Sequence, residues 1–256
     1  MSIVINTNVP SLMAAHHVRT TRDGLETAME RLASGKRINT AADDAAGAGV
    51  ASRLNAHARG AEMAMRNVGD TLSVLRIADN ALIETENMLQ RIYELEVQQL
   101  STNIYSTGDI TNIEKEVTEL TAELADIVSN TKYNGTAVFG ATFTTADDAF
   151  GGSTGFAIPA GLSAPSAATV AGAEADLTTI AGQRADIGSF INRLEYKLNN
   201  LSVFAANTLA SVSRIEDTDY AAESAAVAKG QVLQQAGAAM LAQANASSQY
   251  VLTLLQ

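Results

Sequence analysis

The stretch DITNIEKEVTELTAELADI, Asp109 to Ile127, sets the architecture of this chain. Its apolar residues Ile110, Ile113, Val117, Leu120, Leu124 and Ile127 recur in alternating steps of three and four. That spacing lays them in one stripe along a helix, a heptad seam that must be buried against other helices. Upstream, Val68, Leu72, Leu75, Leu82 and Leu89 repeat the pattern, with Asp79, Glu86 and Tyr93 at intervening seam positions expected to face partners or water. They predict a helix from about Gly60 to about Leu100. The polar stretch Ser101–Asp109 contains Gly108 and ends on an acid suited to cap a helix, so the two helices read as a hairpin.

From Asp176 a third pattern runs through Leu177, Ile180, Ile187, Ile191, Leu194, Leu198, Leu201, Ala205, Val212 and Ile215 without a proline. It predicts roughly 40 residues of helix, about 60 Å long. Such a seam is not satisfied alone, and packing it on the two earlier helices gives a rod-like bundle.

The two ends carry a fainter version of the same signal. Leu12, Ala15, Val18, Leu25, Met29 and Leu32 mark one helix, starting after Asn8 with Pro10 tolerated in its first turn. Leu233, Gly237, Met240, Ala244, Ser247, Val251 and Leu254 mark another, starting near Asp217 or Asp219. These seams are poor in large side chains. Their burial is expected to fall short of backbone ordering, about 1–2 kcal/mol per residue, until partners are found.

Between the arms, from Thr131, Gly, Thr, Ser and Ala predominate, with Pro159 and Pro165. Ala137–Phe139, Ala141–Phe143 and Gly155–Ile158 read as short strands, with Asn134-Gly135 and Gly151-Gly152 as turns. The expected fold class is therefore mainly α: a long antiparallel helical bundle or coiled coil formed by N- and C-terminal arms, with a small β-rich hairpin region in the middle. Residues 1–40 and 217–256 would form an inner terminal domain, 41–59 a connector, 60–130 and 174–216 an outer bundle, and 131–173 its β-rich cap.

Composition narrows the function. The net charge of −11 argues against nucleic acid and anionic membrane, both of which need a basic surface. With no Cys there is no disulfide, thiolate catalysis or Cys-ligated zinc. Met1–Pro10 lacks the basic and long apolar regions of an ordinary secretory signal, and no apolar run reaches about 18 residues. His16 and His17 point to different helix faces, His57 is isolated, and Asp43-Asp44 has no third hard ligand nearby. No catalytic constellation or phosphate loop is present, so no enzyme activity and no cofactor are expected.

The run Leu32–Gly47, LASGKRINTAADDAAG, closely resembles the signature of bacterial flagellins. Further similarity lies in Met1–Asn8, Leu89–Leu95, Tyr133–Gly135 and the end from Ala244-Asn245 to Leu254-Leu255. The resemblance implies a structural subunit, secreted unfolded, that polymerises into the extracellular flagellar filament for swimming. The short middle implies a flagellin with only the two conserved domains. Polymerisation contacts would involve Leu12, Leu25, Met29, Leu32, Leu233, Met240, Val251 and Leu254. Arg37, Asn39, Asp43, Asp44 and Gly47 would form the inter-domain connector.

The resemblance also implies a surface contacting subunits and the animal Toll-like receptor, through Leu89, Gln90, Arg91, Leu95 and Glu116. Tyr93 stands where the family usually has Arg and Glu96 where it has a small residue, so weakened recognition is expected. Implied partners are identical subunits, the export apparatus and its chaperone, and filament cap and junction proteins. Neither nucleic acid nor membrane is among them. A hook–filament junction protein shares the terminal architecture and is the nearest alternative. A cytosolic coiled-coil scaffold differs in predicting a finite oligomer with stable termini.

Overall fold

Local capping chemistry places the helices of this computed structural model, which describes residues 7–101, 103–161 and 169–253, with side chains described through Ser247. Helix α1 spans Val9–Ser34. The Asn8 side chain accepts the Ser11 amide at 3.2 Å, satisfying one of the donors that a helix start leaves open. Gly35, at φ +72°, ends α1 in the left-handed conformation that a Cβ would strain.

Helix α2 spans Ala45–Gln99, so it starts well ahead of Gly60, and the connector expected over 41–59 is helical from Ala45 onward. Asp44 supplies the start, its carboxylate accepting the Gly47 amide at 2.8 Å. Ala-rich sequence then propagates the helix despite Gly47 and Gly49. Helix α3, Thr107–Asn130, is capped by Ser106 rather than Asp109. Asp109 is instead the reciprocal partner of a capping box, its carboxylate accepting the Ser106 amide at 3.1 Å.

Two antiparallel hairpins follow α3. Strands β1 (Lys132–Tyr133) and β2 (Thr136–Ala137) flank Asn134 and Gly135, both at positive φ, as a tight hairpin turn requires. Strands β3 (Thr142–Ala146) and β4 (Ser153–Ala157) pair in register from Thr142↔Ala157 to Ala146↔Ser153. The expected segment Ala137–Phe139 is strand only at Ala137; Val138 and Phe139 are buried in a turn after it. Pro165 lies outside the described residues. Helix α4, Val170–Glu216, begins ahead of Asp176, where the Thr169 hydroxyl accepts the Gly172 amide at 3.2 Å. Helix α5, Tyr220–Thr253, starts after Asp219, whose carboxylate accepts the Ala221 amide at 2.9 Å.

Contacts divide the chain into two units, Met1–Asn55 with Leu209–Gln256, and Ala56–Thr208. In the second, Val68, Leu72, Leu75, Leu82 and Leu89 of α2 are buried with Leu124 of α3 and Ile180, Ile187, Leu194 and Leu201 of α4. The seam positions assigned to Asp79, Glu86 and Tyr93 are in fact filled by Ala78, Thr85 and Ile92, each buried. Thr85 fits there because its hydroxyl donates to the Leu82 carbonyl at 2.9 Å. Asp79 and Glu86 flank the seam and both bind Arg184 of α4.

The β3–β4 hairpin is fastened to this bundle by polar contacts. Thr145 and Thr71 share a buried 2.7 Å hydrogen bond, and Lys197 reaches Asp147 at 2.5 Å. Gly60 allows close approach, since an added Cβ would lie 2.7 Å from the Ala149 carbonyl oxygen. Among the described residues no helix is long and apolar enough to cross a membrane.

Candidate functional site: the α1/α5 pair

Helices α1 and α5 pair along a face that mixes small and polar residues with a few leucines and valines. From α1 come Ser11, Ala14, Val18, Thr21, Leu25, Ala28 and Leu32, and from α5 Glu223, Val227, Gly230, Gln234, Gly237, Leu241 and Ala244. Both sets keep the three-four step of a coiled-coil seam. Of these, Ala28 and Gly230 alone are fully buried. The fit depends on missing side chains: a Cβ on Gly237 would stand 2.6 Å from Val18 Cγ2, and one on Gly230 3.2 Å from Leu25 Cδ1.

Polar links hold the pair at both ends. Asn8 Nδ2 donates to the Ala244 carbonyl at 2.9 Å and Ser11 Oγ to Asn245 Oδ1 at 2.9 Å. Farther along, Arg31 pairs with Glu223 at 3.1 Å, and just past α1 Lys36 meets Glu216, the last residue of α4, at 2.6 Å. Such part-exposed pairs fix register more than they stabilise.

Several large apolar side chains lie away from this seam. Leu12 is 65%, Met29 49%, Leu233 46% and Met240 64% exposed, and Met13 and Val232 are exposed as well. Leu233 and Met240 were expected in the seam of the last helix; Gln234 and Leu241 occupy those inward positions instead. Likewise Leu12, Ala15 and Met29 give way to Ser11, Ala14 and Ala28, whereas Leu25 and Leu32 do face α5 in part. The side chains of Val251 and Leu254 lie outside the described residues. Pro10, Met13, His17, Leu233, Ala236 and Met240 help to line an open, mainly apolar groove of about 500 Å³ between the two helices. Met13, Val232 and Ala236 were not singled out from sequence, because they fall off every assumed stripe, and His17 was weighed only as a metal ligand.

The predicted connector residues are drawn together between Gly35 and α2. The Arg37 amide donates to the Glu216 carbonyl at 2.6 Å and its guanidinium to the Ile215 carbonyl at 2.6 Å. Asp43 accepts the amides of Thr40 at 2.9 Å and Asn39 at 3.1 Å, which hold its carboxyl below the ordinary carboxylate range, Thr40 contributing most. Gly47 is a close-approach residue rather than a helix break, for its Cβ would meet Asp44 Oδ2 at 2.3 Å and Ile38 Cδ1 at 2.9 Å.

On α2, Gln90 and Arg91 are exposed, and Arg91 donates to Glu116 of α3 at 3.0 Å and 3.1 Å. Leu89 and Leu95, expected on the same contact surface, are buried in the bundle and offer nothing to an outside partner in this fold. They belong to the α2 seam; the accessible surface at this level consists of Gln90, Arg91, Glu94 and Glu116.

Two family models match, the bacterial flagellin N-terminal helical region over residues 5–144 and the bacterial flagellin C-terminal helical region over 170–255. The flagellar filament 33 kDa core protein of Treponema phagedenis is 34% identical, across 99% of this chain and 100% of its own length. The flagellar filament 31.3 kDa core protein of Treponema maltophilum is 35% identical with the same coverage. Flagellin of Bacillus subtilis is 33% identical over 98% of this chain and 99% of its own. Among solved structures, Bacillus cereus flagellin matches at 26% identity and a TM-score of 0.46, covering 53% of this chain and 88% of that one.

Proposed function

The chain belongs to the bacterial flagellin family, and from that premise we infer that it is a structural subunit of the flagellar filament, serving motility. Its role is mechanical rather than catalytic. The finer reading is that α1 and α5 form the inner assembly domain, the α2–α3–α4 bundle with its hairpins forms the outer one, and Arg37–Asp44 connects them.

What supports this reading most is the placement of apolar surface on the α1/α5 pair. A pair that turns Gly230, Gly237 and Ala28 inward while leaving Leu12, Met29, Leu233 and Met240 outward has its main hydrophobic stabilisation still to gain. Stacking against other copies would supply it, and repeated heterologous contacts of that kind generate an open helical polymer. Polymerisation then couples to ordering of the ends. The polymer would stand outside the cell after export with an apparatus and chaperone, between junction and cap proteins. The Gln90–Arg91–Glu116 surface would serve subunit contact and weakened Toll-like receptor recognition.

The direct test is to add sulfate, which strengthens apolar burial, to purified full-length monomer and examine it by electron microscopy. Filaments that sediment support the reading. A soluble oligomer of fixed size under all conditions contradicts it.

A further inference from the structure

With no cysteine in the chain, its only sulfur is the thioether of methionine. A two-electron oxidant such as a peroxide therefore finds its softest target in the methionines that solvent reaches. These divide by place. Met65 and Met88 are partly buried against the core of the second unit, while Met63 of α2 is 49% exposed. On the α1/α5 pair the thioethers face outward, Met13 at 59% and Met240 at 64% exposure, with Met29 also exposed. Met13 and Met240 share one site, because both line the open groove between α1 and α5, beside Pro10, Ala14, Leu233 and Ala236. Among the described residues, the polar side chains of that lining are those of His17 and Thr21.

An oxygen added to either sulfur changes what such a groove can accept. A thioether is apolar and adapts its shape to whatever covers it, whereas a sulfoxide is polar and chiral. In the lone subunit the change costs little, since both side chains face water. Under a neighbouring copy it acts twice, removing apolar surface from burial and carrying a polar oxygen into a mainly apolar contact. Leu12, Val232 and Leu233, exposed on the same pair, are aliphatic and offer no such chemistry.

Building on the reading of α1 and α5 as the assembly domain, we propose that Met13 and Met240 are oxidation sites that make this groove redox-sensitive. With both thioethers reduced the groove takes a neighbouring copy, and with sulfoxides in their place it does not. In the step itself, a sulfur lone pair attacks one oxygen of hydrogen peroxide. The S–O bond forms as the O–O bond breaks, and the second oxygen leaves as hydroxide, which takes the proton of the transferred oxygen and becomes water. Sulfur gives up two electrons and the peroxide gains them. Return to the thioether takes a thiol-dependent sulfoxide reductase. The free subunit is the form exposed to this reaction, because a copy seated on the groove shields both sulfurs. Oxidation thus withholds damaged subunits from addition and spares the finished polymer.

The test treats full-length monomer with hydrogen peroxide, quenches it with free methionine, and locates one-oxygen mass gains by peptide mapping. Critical concentration is then read by sedimentation after sulfate addition, and monomer helicity by circular dichroism. Wild type is compared with Met13→Leu/Met240→Leu, which keeps volume and helix propensity, and with Met63→Leu. Met13 and Met240 should oxidise ahead of Met65 and Met88. The wild-type critical concentration should rise about tenfold for each of the two sulfoxides, with helicity unchanged, and fall back after treatment with methionine sulfoxide reductase. Met13→Leu/Met240→Leu should lose most of that response although Met29 and Met63 still oxidise, whereas Met63→Leu should respond as the wild type does. Untreated wild type that never polymerises overturns the filament reading and this proposal together. Wild type that polymerises equally well before and after sulfoxides form at Met13 and Met240 overturns this proposal alone. So does an undiminished peroxide response in Met13→Leu/Met240→Leu, which places the sensitive sulfur elsewhere, or a loss of monomer helicity on oxidation, which makes the effect one of folding.

Discussion

The outward apolar face of α1 and α5 gives a quantitative handle on assembly. Replacing Leu12 and Met240 together by Gln keeps good helix formers at both positions while removing apolar surface. In the single chain Leu12 is 65% and Met240 64% exposed, so about two thirds of each side chain remains to be buried by a neighbour. Complete burial of such a side chain stabilises by roughly 1.5–3 kcal/mol, so the unspent part is about 1–2 kcal/mol each. The double variant should therefore lose about 2–4 kcal/mol per subunit added, raising the critical concentration for assembly about 30- to 1,000-fold. Monomer stability should move by no more than about 0.5 kcal/mol, since neither side chain has much to lose in the monomer. Critical concentration is measured by sedimentation after sulfate addition, and monomer helicity by circular dichroism. An unchanged critical concentration, with the monomer still folded, would refute the assignment of this face to subunit contact.

Gly237→Ala tests the seam on the other side. In an isolated helix the change stabilises by about 1 kcal/mol, but here the new methyl meets Val18 at 2.6 Å, so thermal melting of the α1/α5 pair should move down rather than up. Lys197→Met leaves Asp147 buried without its cation, and the second unit should lose up to about 3–5 kcal/mol in urea unfolding, less whatever the part-exposed Lys197 already gives to solvent. Burial works to raise the Asp147 carboxyl, but the Lys197 ammonium and Thr154 hydroxyl outweigh it and hold it below the ordinary value. Its contribution is therefore present above the unfolded value and lost as pH falls through the folded one, so acid titration should show a loss that Lys197→Met no longer shows. Gly60→Ala should push the loop around Ala149 away from α2, visible as faster amide exchange in 147–152 with the bundle still helical.

The long seams were legible because a heptad step with large side chains admits one reading: the α3 and α4 stripes are buried or half-buried throughout the second unit. Caps written in side-chain chemistry were legible too, as at Asn8 and Asp219. The α2 start was hidden because Gly47 and Gly49 suggest a break, whereas Asp44 capping and alanine propagation outweigh two glycines. Thr85 was invisible as a seam residue because its polarity is cancelled only by its own bond to Leu82.

The terminal helices teach a further distinction. Periodicity gave the step of the stripe but not its phase, since Leu233 and Met240 announce a seam that the chain does not use for its own α1/α5 pairing. Hydrophobicity marks surface to be buried and leaves open whether the partner is the same molecule or another.

Hydrogen exchange across α1 and α5, compared between dilute monomer and sedimented filament, addresses the proposed function most directly. Weak protection of 9–34 and 220–253 in the monomer, rising strongly in the filament while the second unit stays protected in both, is the expected result. Equal, strong protection of α1 and α5 in the lone monomer would contradict it, because those helices would then owe nothing to their neighbours.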